Sequence, residues 1–82
     1  MYAVIFTYSF DWDVAVYLFE DLEEAKEFLK SSAEEEYRID TEENGWATEL
    51  EFDNDNCYAK IINHFLDRDD ITEMYIGNIY SK

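Results

Sequence analysis

His64 and Cys57 are the single histidine and the single cysteine of an 82-residue chain, so nucleophilic or proton-transfer chemistry would have to start with them. Seven positions apart on one predicted strand, they project to opposite faces, and a thiolate–imidazole pair is not expected. Carboxylate pairs can be drawn at will among twenty-one acidic residues, and without a cleft such pairs say nothing about glycoside chemistry. Two acidic clusters, Asp53-Asn54-Asp55-Asn56 and Asp67-Arg68-Asp69-Asp70, offer oxygen ligands at alternate positions. An EF-hand loop requires Gly at its sixth position and Glu at its twelfth. The sixth positions here are Tyr58 and Thr72, so turn chemistry, in which Asp and Asn bond their own backbone, is the better reading. Neither a catalytic activity nor a metal or other cofactor is expected.

The element that would position the remaining polar residues is the stretch Asp21 to Arg38, the only long segment with apolar residues at helical spacing. Leu22, Ala25, Leu29 and Ala33 form a stripe suited to a core, flanked by Phe28 and Ser32. Asp21 is a good N-cap, and Glu24 three residues on completes a capping-box pattern. The helix is expected to end between Glu35 and Asp40, because Glu36 falls back onto the apolar stripe, with Tyr37 and Ile39 as anchors of the exit. Glu23, Glu27, Glu34 and Glu35 lie on the opposite face, which is therefore mainly carboxylate.

Strands account for the rest. Tyr2 to Tyr8 and Val14 to Phe19 are apolar on both alternating sets, with Ser9 to Asp13 as the connecting turn. Thr41 to Gly45 is a polar connection whose Asn-Gly pair favours positive φ. Trp46 to Phe52 alternates cleanly, Cys57 to Phe65 completes a second hairpin, and Ile71 to Tyr80 is a last strand. The order ββαβββ implies an α+β fold, one mostly antiparallel five-stranded sheet with one helix across one face, and residues 1–82 as a single domain. One helix cannot cover both faces, so a second copy of the chain is a candidate cover for the other.

A formal charge of −15 beside seven Tyr, six Phe and two Trp implies a packed core under a strongly acidic surface. That charge counts against direct contact with nucleic acid or an anionic membrane, which select clustered Lys and Arg. A basic protein is the natural complement, unless the charge serves only to keep the chain in solution. Besides the helical glutamates, the candidate contacts are Asp11, Trp12 and Asp13 at the first turn, Asp53 and Asp55 at the second, and Asp67, Asp69 and Asp70 before the last strand. Trp12 has two readings, an anchor on a partner or a lid folded back over the open end of the core, and the lid is the expectation. Trp46, in phase with Leu50 and Phe52, is expected in the core. Cys57 is expected to be a small buried hydrophobe, and the opening Met1 to Tyr8, with no basic leader and too short an apolar run for a signal peptide or membrane span, predicts a cytoplasmic protein.

The acidic stretches EDLEE, AEEE, DTEEN, EFDND and DRDD, set on an aromatic core, give the chain a resemblance of class to small anti-CRISPR proteins of phages and mobile elements. That resemblance implies an inhibitor, in some cases a DNA mimic, acting on the basic nucleic-acid site of a CRISPR effector. Immunity proteins that neutralise nucleases share the same physical profile. A non-inhibitory assembly module working through the uncovered sheet face is the alternative.

Overall fold

The computed structural model describes residues 1–79, in the order β1 (Tyr2–Tyr8), β2 (Asp11–Phe19), α1 (Leu22–Arg38), a π-helical turn (Ile39–Glu43), β3 (Ala47–Asp53), β4 (Tyr58–His64) and β5 (Asp69–Asn78). The strands form one five-stranded sheet in the order β2-β1-β5-β4-β3, with every neighbouring pair antiparallel. The α+β architecture expected from the sequence is therefore the one observed. Its first and last strands pair at the centre, from Tyr2 opposite Asn78 to Tyr8 opposite Thr72.

The helix forms where its stripe demands. Asp21 caps it by accepting the Glu23 N–H at 3.0 Å, rather than through a reciprocal bond with Glu24. Ala25, Leu29 and Ala33 are fully buried against Val4 of β1, Met74 of β5, and Ala59 and Ile61 of β4. Two alanines beside one leucine let the helix settle close to the sheet, and Leu29 fills the space between. Phe28, on the flank, reaches Phe19, Tyr17 and Phe6 with ring centroids 5.1, 4.9 and 6.1 Å away, which ties the helix to the β1–β2 side.

Several local expectations are corrected. The first turn is only Ser9-Phe10, because Asp11 already pairs with Tyr8, so Asp11, Trp12 and Asp13 belong to β2. Neither turn residue has positive φ, and a turn of that hand mismatches strand twist. The mismatch is taken up as an irregular register between the Phe6–Ala15 and Tyr8–Asp11 pairs. Trp12 does not fold back as a lid but is 100% exposed. Trp46 precedes β3 and is 41% exposed, its indole lying edge-on to Phe65 at 5.1 Å. Cys57 ends a turn and is half-buried, and Tyr37 is exposed rather than an anchor. The last strand starts two residues early, at Asp69, and Tyr80, expected in it, lies outside the described residues.

The second sheet face divides in two. Leu18, Ala3 and Gly77 share one row and Val16, Ile5 and Tyr75 the next, so the β2-β1-β5 side is apolar. Across β4 and β3 the Tyr75 row continues to Tyr58 and Asp53, and the rows beyond it are Glu73–Lys60–Glu51 and Ile71–Ile62–Glu49, so ionic groups partly cover that half. No element of the described residues lies over the apolar half, where Val16 and Leu18 are 54% and 58% exposed.

Candidate functional site

The strand directions sort the acidic residues to two ends of the sheet. Phe19 and the start of α1 lie at the end that holds the β3–β4 turn, whereas the β1–β2 turn, the β4–β5 loop and the end of α1 lie at the other. Asp55 therefore sits near Glu23 and Glu27, Asp53 lies at the same end opposite Tyr58, and the remaining candidates lie toward the far end of the sheet. The exposed helix face connects the two groups.

At the first end, Lys26 Nζ donates to Asp55 Oδ2 at 2.9 Å and lies 3.9 Å from Glu23. Asp55 is held below the usual carboxylate range by that bond. A shallow hollow of about 250 Å³ lined by Glu23, Lys26, Glu27, Lys30, Asp55 and Asn56 results, with both signs of charge on its wall. Asn54, Asp55 and Asn56 all have positive φ, between 54° and 62°, a run that Asn and Asp tolerate better than other non-glycine residues.

At the far end, pairing removes several candidates from free display. Glu35 accepts from Arg38 Nη2 at 2.6 Å and Nε at 3.2 Å, which lowers its pKa. Asp70 accepts from Arg68 at 3.0 Å with only 14% of its side chain exposed, and Asp67 lies 3.5 Å from the same guanidinium. Asp69 is engaged by His64, whose Nδ1 lies 2.9 Å from Asp69 Oδ1 while Nε2 lies 2.8 Å from Glu49 Oε2. Both ring nitrogens can donate only in the imidazolium form, so the two carboxylates raise the His64 pKa. Among the described residues Glu27 and Glu34 have no ion pair, and both are exposed.

Two features were not visible in the sequence. Asp40, in the π-helical turn, is 2% exposed, and its Oδ2 has no hydrogen-bond partner. Burial, and then Asp40, push the Glu36 carboxyl up, and Glu36 and Asp11 in turn contribute to a raised Tyr8 pKa after burial and Tyr17. The β1–β2 turn also encloses a hollow of about 280 Å³ lined by Tyr8, Ser9, Phe10, Asp11 and Trp12. Tyr8 and Phe10 stand 5.5 Å apart there, and only tight pairing of Tyr8 with Asp11 could have placed them together.

Among the described residues no group of His, Cys, Asp and Glu side chains could hold a metal ion, and no helix is long and apolar enough to cross a membrane. Comparison with known proteins gives no relative: no family model, no curated protein and no solved structure matches this chain.

Proposed function

We propose that this protein is an acidic inhibitor that occupies the nucleic-acid-binding site of a basic protein, as the resemblance to anti-CRISPR proteins implies. The observation that carries the reading is the use already made of its cations. Lys26, Arg38 and Arg68 are engaged by Asp55, by Glu35 and Glu42, and by Asp67 and Asp70, while Glu27 and Glu34 stand exposed and form no ion pair, with Lys30 the cation between them on the helix. A helix face of that kind steers a positively charged groove toward it and competes with phosphates for the same Lys and Arg. A nuclease or CRISPR effector is the expected class of partner. Capture from a bacterial lysate at low and high salt, with duplex DNA as competitor, tests it. A basic nucleic-acid-binding protein should be retained at low salt and released by DNA, and capture of none at low salt overturns the reading.

A second reading, assembly of two copies, is favoured by the exposed edge strand β2. Pairing β2 with itself about Ala15 would set Val14 opposite Val16, Trp12 opposite Leu18, Asp13 opposite Tyr17 and Asp11 opposite Phe19, so no acid meets an acid. Sedimentation of the wild type and of Val16→Lys decides it. A dimer lost in the variant supports this assembly, and a monomer at every concentration and salt excludes it.

A further inference from the structure

We propose that the hollow formed by Tyr8, Phe10, Asp11 and Trp12 receives a cationic side chain of the partner, an arginine guanidinium in preference to a lysine ammonium. The inference rests on the basic-partner reading and names the contact through which the partner is held.

Trp12 supplies the first reason. A fully exposed indole contributes no packing to this chain, yet Trp12 lines a hollow of about 280 Å³ together with Phe10, which is also exposed. Trp is the side chain whose face attracts cations most strongly, and it is over-represented at binding hot spots. Tyr8 and Phe10 complete an aromatic wall, their centroids 5.5 Å apart with the rings tilted by 51°.

Asp11 supplies the second. Its Oδ1 accepts the Asp13 N–H at 3.1 Å, which fixes the carboxylate at the start of β2 and leaves the other oxygen for a donor from outside. No lysine or arginine of the described residues lines the hollow. The negative charge is therefore not neutralised from within.

The fold contains a filled counterpart. Arg68 Cζ lies 5.2 Å from the Phe65 ring centroid while its nitrogens reach Asp67 and Asp70 at 3.5 and 3.0 Å. Ring face plus carboxylate is thus the setting in which this protein already holds a guanidinium. The β1–β2 hollow offers the same combination with more rings and no resident cation. A planar guanidinium can stack on a ring and donate to a carboxylate at once, whereas an ammonium is a more strongly hydrated point charge, hence the preference for arginine.

The test uses the full chain carrying Trp46→Phe, so that Trp12 is the sole indole. Three peptides of one length, containing arginine, lysine or citrulline at the same positions, are titrated while the Trp12 indole N–H resonance is followed. The arginine peptide should shift it saturably, the lysine peptide of equal charge should bind several-fold more weakly, and the citrulline peptide about tenfold or more weakly. Phe10→Ala and Asp11→Asn should each weaken the arginine peptide several-fold, while Glu51→Gln, on β3 and outside the candidate contacts, should leave the arginine-over-lysine preference unchanged. Equal responses to arginine and lysine, or no response at Trp12, overturn the proposal. Capture of a basic protein from lysate separates the two readings. Undiminished capture by Trp12→Ala overturns the hollow and spares the inhibitor, and failed capture with a retained arginine preference at Trp12 supports the hollow and removes the inhibitor.

Discussion

Lys26 and Asp55, twenty-nine positions apart, meet at 2.9 Å and join the second turn of the helix to the tip of the β3–β4 hairpin. The bond lies over three successive residues in the left-handed region, so it also steadies the least comfortable backbone in the chain. Lys26→Met should therefore lower the thermal midpoint at low salt, with a difference that shrinks as salt is added. Because the folded Asp55 pKa is lowered, the contribution is present above the ordinary carboxylate value and is lost as pH falls through the folded one. A loss of stability that ignores both salt and acid would place the effect of Lys26 in its methylenes instead.

The same turn makes a comparison between two small residues. Asn56 has φ 62°, where a Cβ costs about 1–2 kcal/mol and only glycine escapes the cost. Asn56→Ala should be less stable than Asn56→Gly by about 1 kcal/mol, read as the separation of two urea curves of equal slope. Coincident curves would mean that the hairpin relaxes out of the left-handed region.

Leu29 is the test of the helix's hold on the sheet. It is fully buried, and its helix neighbours on the stripe, Ala25 and Ala33, are too small to fill the space it would leave. Leu29→Ala should cost about 2–5 kcal/mol, a large part of the stability of so small a domain. Phe28→Leu keeps an apolar flank beside Phe6, Tyr17 and Phe19 and should cost less.

Why some of this was legible and some was not follows from the range of the contacts. The stripe Ala25–Leu29–Ala33 and the Asp21 cap are local and located the start of the helix, whereas its end, expected between Glu35 and Asp40, falls at Arg38 and runs on as a π-helical turn to Glu43. The strands were legible as runs of apolar residues, but Asp11-Trp12-Asp13 has the composition of a turn. Only the pairing of Tyr8 with Asp11 puts those residues in β2 and leaves Trp12 in solvent. The acidic candidates were found by type, yet Glu35, Asp55, Asp69 and Asp70 proved to be engaged by Arg38, Lys26, His64 and Arg68. Which acids are neutralised depends on strand register, since the Glu49–His64–Asp69 contact spans three strands.

His64 gives that contact a pH signature. Its folded pKa is raised, first by the bond to Glu49 and then by that to Asp69, so its contribution is fully present below about 6.5 and is lost as pH rises through the folded value. The midpoint difference between wild type and His64→Gln should be larger at pH 6 than at pH 8.5. Nuclear magnetic resonance titration of the imidazole should show a pKa above the ordinary histidine value, and a normal or lowered value would remove the pair of hydrogen bonds to Glu49 and Asp69.

Glu36 and Asp40 place the optimum of the whole fold on the acidic side of neutrality. One turn apart on a continuous helical run, they set two carboxyls together where one oxygen of Asp40 is buried without a partner, and the Glu36 pKa is raised by burial first and by Asp40 second. An acid with a raised folded pKa binds its proton more tightly in the native state, so stability grows as pH falls through that value and the cost is present in full above it. Glu36→Gln should therefore raise the midpoint at pH 7, with the gain gone by about pH 4, and Asp40→Asn should raise it as well by removing the charge that Glu36 faces. Between pH 7 and pH 5 the shifts of His64 and Glu36 act in the same direction, whereas the lowered pKa values of Glu35 and Asp55 bring their losses only at more acidic pH. Thermal melts of the wild type should peak between about pH 5 and pH 6, and added monovalent salt should lift the neutral arm more than the acidic one by screening a charge of −15. A midpoint that falls steadily from pH 7 and ignores salt would mean that the carboxylates are balanced within the fold, and would take away the repulsion on which the reading of an acidic display surface depends.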